Sequence, residues 1–201
     1  MKKILVPLVI TVTVLLACNN SDNKDSVEAA KDANEQKTDS AGSNTTNATT
    51  TAAPVDKDDQ DFLVKAASGG LMEVQLGQMT AQKATNAAVK NFGQMMVSDH
   101  SKANDELKAL AARKNITIPT TPGEDEMKHI NKLNDSKTGR DFDKDYMAMM
   151  VDDHKEDVRK FEKAANDCKD PDIKAFAAKY VPTLKQHLDS AQAIRDKIKK
   201  S

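Results

Sequence analysis

From about Asp58 onward, apolar residues recur at intervals of three and four, and few features restrict a fold more tightly. An α-helix turns once in 3.6 residues, so this spacing gathers the apolar side chains into one stripe; a half-buried strand would instead alternate strictly. Four segments carry such a stripe. The first runs from about Asp61 to Lys83, with Asp58 and Asp59 as caps, and aligns Phe62, Ala66, Gly69, Glu73, Leu76 and Thr80. The second, from about Asn86 to Arg113, aligns Val89, Phe92, Met96, His100, Ala103, Leu107 and Leu110. The third, from about Asp141 to Asn166, aligns Phe142, Tyr146, Met150, His154, Val158, Phe161 and Ala165. The fourth opens with Asp170 as cap and Pro171 as first helical residue, and aligns Ile173, Phe176, Tyr180, Leu184, His187, Ala191, Ile194 and Ile198.

Short links join the first helix to the second and the third to the fourth, so the stripes predict an all-α, antiparallel four-helix bundle over residues 58–201. The middle connection is longer. Ile116 to Pro119 is extended, Pro122-Gly123 turns the chain, and Glu124 to Leu133 predicts a short extra helix across the bundle end. Gly69-Gly70 predicts a close backbone approach or a bend, and Pro182 a kink or break in the last helix. With aromatics at 3% and no Trp, the interior must be filled by small and flexible side chains. The net charge of -1 carries no basic or acidic surplus, which argues against a nucleic-acid partner.

The chain ahead of Asp58 is different material. Lys2 and Lys3, an apolar run from Ile4 to Leu16, and the ending Leu15-Leu16-Ala17-Cys18 look like a bacterial lipoprotein signal over residues 1–18. The run is shorter than the roughly 20 apolar residues a membrane span takes. Cys18 would then carry diacylglycerol and anchor the chain to a membrane, and Asn19 after it resembles lipoproteins sent to the outer membrane of the envelope. An ordinary secretory signal or an uncleaved anchor is the alternative. Residues 19–57 show no apolar period and read as a disordered tether. With Cys18 lipidated, Cys168 has no partner for an intramolecular disulfide.

Every stripe carries one polar residue: Glu73, His100, His154 and His187. Counted from the two hairpin turns at about 1.5 Å per residue, all four fall in one layer within roughly 8 Å. A carboxylate and three imidazoles facing one another suit a transition metal such as copper, zinc or iron. Met96 and Met150 each precede a histidine by four residues and add a thioether on the same face, a mixture that favours copper. A metal-free Glu-His hydrogen-bond network fixing helix register is the alternative, in a non-enzymatic structural or stress-related bundle. Asp99 and Asp153 point about 100° from their histidines and read as solvated or supporting groups. Glu126-x-x-His129 reads as a surface pair. No nucleophile motif, phosphate loop or paired catalytic carboxylates can be found, which points away from an enzyme.

The phrase MMVSDH at residues 95–100 returns as MMVDDH at 149–154, so the second and third helices look like copies. The fourth shares Ile173-Lys174-x-Phe176 with Val89-Lys90-x-Phe92 of the second, as a duplicated hairpin would.

These motifs also carry a resemblance. Phe62-Leu63-x-x-Ala66-Ala67, Met72-Glu73-Val74-x-Leu76-Gly77, Met96-Val97-x-Asp99-His100, Met150-Val151-x-Asp153-His154 and His187-Leu188, in an exported chain, resemble the bacterial family called domain of unknown function 4142. The resemblance covers roughly Asp61 to Ile198 and implies a ferritin-like bundle. It implies no activity, and the paired Glu-x-x-His motifs of di-iron ferritins are missing from the second and fourth helices.

Overall fold

The computed structural model describes residues 24–42 and 55–200. Among these, six helices follow one another: α1 Ser26–Gly42, α2 Lys57–Lys83, α3 Ala87–Arg113, α4 Glu124–Asp135, α5 Arg140–Asp167 and α6 Pro171–Lys200. The described residues contain no strand. Helices α2 and α3 form one antiparallel hairpin, α5 and α6 a second, and the two pack into the expected four-helix bundle. Helix α4 is the expected short extra helix, but it lies lengthwise along α2 and not across the bundle end: Glu126 at its start accepts from Ser68 and Asn134 at its end accepts from Lys83 at the end of α2, because the connection has to return the chain from one end of the bundle to the other. No helix among the described residues is long and apolar enough to cross a membrane, and Cys18 lies outside them.

The two hairpins are built alike. Asn86 caps α3 by accepting the Ala88 N–H at 2.9 Å, and Asp170, at the matching place in the second hairpin, caps α6 by accepting the N–H groups of Asp172 and Ile173. Each turn is also gripped from the opposite hairpin. Buried Asp143 at the start of α5 accepts from the Thr85 hydroxyl at 2.9 Å and the Asn86 N–H at 2.9 Å. Its counterpart, buried Asp59 at the start of α2, accepts the N–H groups of Lys169 and Asp170. Both carboxylates thus satisfy N–H groups that open a helix, where negative charge is favoured. Asp143→Ala strands several of these donors, and we expect it to cost about 2–3 kcal/mol in denaturant unfolding; a change below about 0.5 kcal/mol would contradict that role.

The step along the chain from Asn86 to Asp170 is also the step from Asp59 to Asp143, from Phe92 to Phe176 and from Val97 to Val181. The symmetric relation therefore runs from hairpin to hairpin and pairs α3 with α6. The resemblance of MMVSDH in α3 to MMVDDH in α5 is not an image of it, because the same step sets His154 opposite Gly70 and His100 opposite Leu184.

Three further sequence expectations need correction. Asp56, not Asp58 or Asp59, is the N-cap of α2, accepting the Asp58 N–H at 3.0 Å, and the helix starts at Lys57. Of the kink or break expected at Pro182, the break does not occur: α6 runs from Pro171 to Lys200 with Pro182 inside it. Residues 26–42, read as part of a disordered tether, form α1, which straps the α3–α4 connection. The Asn34 side chain accepts the Thr117 N–H at 2.7 Å and donates to the Thr117 carbonyl at 2.9 Å. Asp25 accepts the Glu124 N–H at 2.6 Å, capping a helix whose own N-cap, Gly123, has no side chain to offer. Of the glycine pair, Gly70 makes the close approach, since a Cβ there would come 2.1 Å from the Asn104 side chain, whereas one at Gly69 would meet nothing.

Candidate metal centre

Halfway along the bundle the four polar residues of the stripes do meet. Glu73 from α2, His100 from α3, His154 from α5 and His187 from α6 are 2%, 6%, 0% and 1% exposed, so each has surrendered its water and needs partners inside the protein. The rings of His100, His154 and His187 form a nearly equilateral triangle, with centroids 5.7, 5.3 and 5.4 Å apart. One nitrogen from each lies within 4.8 Å of the others.

What holds the rings decides what they can do. His100 Nδ1 lies 2.7 Å from Glu73 Oε2. His154 Nδ1 lies 3.0 Å from the Met150 carbonyl, which can only accept, so the proton is on Nδ1. His187 Nε2 lies 3.0 Å from Asp99 Oδ2. Every imidazole therefore donates one N–H to an oxygen. The other nitrogens, His100 Nε2, His154 Nε2 and His187 Nδ1, are buried and without a hydrogen-bond partner. A ring anchored through one nitrogen, with the lone pair of the other pointed into a shared space, is the arrangement of metal-ligating histidines.

Electrostatics keep these lone pairs available. Burial pushes His100 down to about 4 and His154 well below the usual imidazole range, with the neighbouring rings adding to the fall at His154. Burial also lowers His187, though Asp99 pulls it back. Glu73 moves the other way, raised by burial to about 8.

Glu73, expected as a fourth ligand, holds His100 through Oε2, while its Oε1 has no hydrogen-bond partner and lies 3.4 Å from His154 Nε2. Met96 and Met150 are wholly buried in the apolar cluster with Met72, Phe92 and Tyr146, and Met150 serves the site through its carbonyl. His129 is exposed, and Glu126 accepts from the Ser68 hydroxyl at 2.8 Å instead of pairing with it. The α5 carboxylates were the missed feature. Asp153 has an enclosed, unpartnered Oδ2, and Asp157 one turn further is raised by burial to about 7. Their spacing of four puts them on one helix face, but nothing in it says that the face turns inward. A cavity of about 440 Å³ runs along this half of the bundle and reaches Glu73, His100, Asp153 and His187.

A family model described as "Domain of unknown function (DUF4142)" matches residues 44–194. No curated protein matches the sequence. Among solved structures, a DUF305 fragment from Deinococcus radiodurans superposes with a TM-score of 0.63 at 12% identity, covering 72% of this chain and 99% of that one. A structure described as CopM in the Cu(II)-bound form superposes with a TM-score of 0.57 at 14% identity, covering 69% of this chain and 96% of that one. At such identities the likeness is one of fold.

Proposed function

This chain belongs to the DUF4142 family, matched over residues 44–194, and we propose that it binds one transition-metal ion, copper(II) foremost, between His100, His154 and His187. The observation that carries this is the set of three buried imidazole lone pairs without partners, each on a ring already anchored through its other nitrogen. Metal–nitrogen bonds of about 2.0 Å place ligands about 3.3 Å apart, so nitrogens within 4.8 Å need move only about 1 Å each to close on an ion. Glu73 and Asp99, bonded to two of the rings, supply the compensating charge.

A metal-free network accounts for less. Protonated Glu73 could donate to His154 Nε2 and accept from His100 Nδ1, yet His100 Nε2 and His187 Nδ1 would keep buried lone pairs with no donor, costing about 1–3 kcal/mol each. Copper is favoured over zinc and iron by its higher affinity for a given set of nitrogen donors and by the Cu(II)-bound state of CopM, a protein of the same fold; Met96 and Met150, packed into the apolar cluster, add no thioether to the site. The function is then capture or delivery of the ion, and no reaction is assigned. Equilibrium dialysis of untagged, metal-free protein should return one copper(II) per chain, with nitrogen hyperfine structure in its electron paramagnetic resonance spectrum. Binding of fewer than about 0.2 equivalents at about 100 μM, a concentration chosen on the order of the weakest useful affinities, would sink the reading.

The address belongs to the same proposal. The Lys2-Lys3 start, the apolar run and Leu15-Leu16-Ala17-Cys18 support a lipid anchor on Cys18 holding the bundle at a bacterial envelope, on the outer membrane and facing the periplasm or the surface. Cys18→Ala should move the protein from the membrane to the soluble fraction, or leave it unprocessed. Unchanged fractionation together with unchanged mass would refute the anchor.

A further inference from the structure

We propose a second, harder cation position in the same core, formed by Glu73 Oε1, Asp153 Oδ2 and His154 Nε2 and overlapping the three-imidazole site at His154. It builds on the function proposed above, since the shared nitrogen is what makes the two positions compete. Glu73, Asp153 and His154 each bring a donor atom within 4.8 Å of the others. Glu73 Oε1, Asp153 Oδ2 and His154 Nε2 are all enclosed and all lack a hydrogen-bond partner, and Glu73 as a whole is only 2% exposed.

The sharpest observation is the pair of atoms Glu73 Oε1 and His154 Nε2, which face each other at 3.4 Å. The Met150 carbonyl fixes the His154 proton on Nδ1, so Nε2 and the carboxylate oxygen present lone pair to lone pair. A proton on Glu73 Oε1 can bridge them in the metal-free protein, and a cation that displaces that proton takes both lone pairs. Two ligands of one ion bonded at about 2.1 Å sit roughly 3 Å apart, so the spacing already suits a shared cation.

The donor set decides which cation. Two carboxylates balance a divalent charge directly, and oxygen-rich sets suit manganese(II) and other hard ions better than copper. Three neutral imidazoles suit copper. Nearby Asp157 has a counter-charge in Lys160 at 3.9 Å, whereas no ion pair is formed by Asp153 among the described residues. The cavity of about 440 Å³ touches Glu73, Asp153, His100 and His187, so both positions open to the same space. His154 Nε2 has a single lone pair and can bind one ion at a time. Occupation of one position therefore disables the other, and the protein sorts hard from soft ions by which donors close.

Titration of the metal-free full-length protein with manganese(II), followed by loss of the aqueous six-line resonance, tests this. Wild type should bind one manganese(II) per chain, and added copper(II) should release it stoichiometrically. Asp153→Asn, which keeps the side-chain shape, should weaken manganese(II) at least tenfold and leave copper(II) within about twofold; His187→Ala should do the reverse. Unfolding curves of both metal-free variants establish that they fold; Glu73→Gln replaces Asp153→Asn, and His100→Ala replaces His187→Ala, should either not fold. The proposal is overturned if wild type leaves the manganese(II) signal unchanged, if Asp153→Asn and Glu73→Gln bind manganese(II) like wild type, or if manganese(II) and copper(II) occupy one chain together. A protein that binds manganese(II) through Asp153 but no copper(II) would overturn the three-imidazole site and leave the carboxylate position standing.

Discussion

Copper(II) in excess is expected to raise the thermal unfolding midpoint of the metal-free protein by about 10 °C or more at pH 7, and His154→Ala to abolish that rise. Ligand that binds only the folded state stabilises it by about 4 kcal/mol at a thousandfold excess over the dissociation constant. For a domain of this size each kcal/mol moves the midpoint by roughly 2–4 °C or somewhat more. His154 is the most completely enclosed of the three rings, and its free nitrogen belongs to both groups of donors. Replacing it by Ala removes a ligand that no neighbour can substitute. A shift that survives in His154→Ala, His100→Ala and His187→Ala alike would mean that copper binds elsewhere.

The pH dependence of that rise separates a buried site from a surface one. Protons compete with metal only where they bind the ligand, and exposed imidazoles begin to do so near pH 6.5. Here burial has lowered all three rings, His100 to about 4. The copper-induced shift should therefore persist to about pH 5 and fade only toward pH 4. Loss of most of it between pH 7 and 6 would show that the bound rings are solvent-exposed.

The fold was legible because each bundle helix repeats its apolar residues at helical spacing, and the depth of Glu73, His100, His154 and His187 followed from counting residues back to the two turns. Ring centroids 5.7, 5.3 and 5.4 Å apart are compatible with the single layer that the count gave, while the lateral approach of the rings comes from the packing. Helix α1 was invisible to the same reasoning. Its buried face has little but Ala30 and Asn34, and it is held by hydrogen bonds to Thr117, Thr121 and Glu124 on a connection far along the chain, which no local period encodes. The first half of α2 misled for another reason. Leu63, Ala67 and Gly70 are buried there, with Phe62, Ala66 and Gly69 only partly so, because α1 and α4 cover this helix on further sides and widen its apolar stripe. Asp153 was read as solvated or supporting and Asp157 was passed over because an acidic residue beside a stripe is ordinarily solvated, and only the packed structure shows the cavity that both line and the enclosed Asp153 Oδ2.

Glu73 should reveal, through pH, what occupies the centre when metal is absent. Its folded-state pKa is raised from 4.5 to about 8 by burial, so the folded protein keeps a proton that the unfolded chain gives up. A raised group contributes stability that is whole below about pH 4.5 and lost as pH climbs through about 8. The imidazoles are depressed, and their contribution is present above about pH 6.5 and lost as pH falls toward 4. Asp157, raised to about 7, has released its proton by the upper end of this range. Between pH 7 and 8 the metal-free protein should thus lose stability as pH rises, by up to about 1.4 kcal/mol per pH unit for Glu73. Glu73→Gln mimics the protonated acid, accepting from His100 Nδ1 and offering an N–H toward His154 Nε2, but it has no proton to lose. We expect this variant to be more stable than wild type at pH 6.5, where the unfolded wild-type chain has already given up the Glu73 proton that the folded protein keeps, and to show a shallower decline from pH 7 to 8, whereas Glu73→Ala, which strands the His100 N–H, should cost about 2–4 kcal/mol relative to Glu73→Gln at either pH. Bound metal supplies the positive charge that the proton otherwise provides, so copper should erase the same slope in wild type. Equal pH slopes for metal-free wild type and Glu73→Gln would place the ionised carboxylate in the core already, and with it a counter-charge other than a proton.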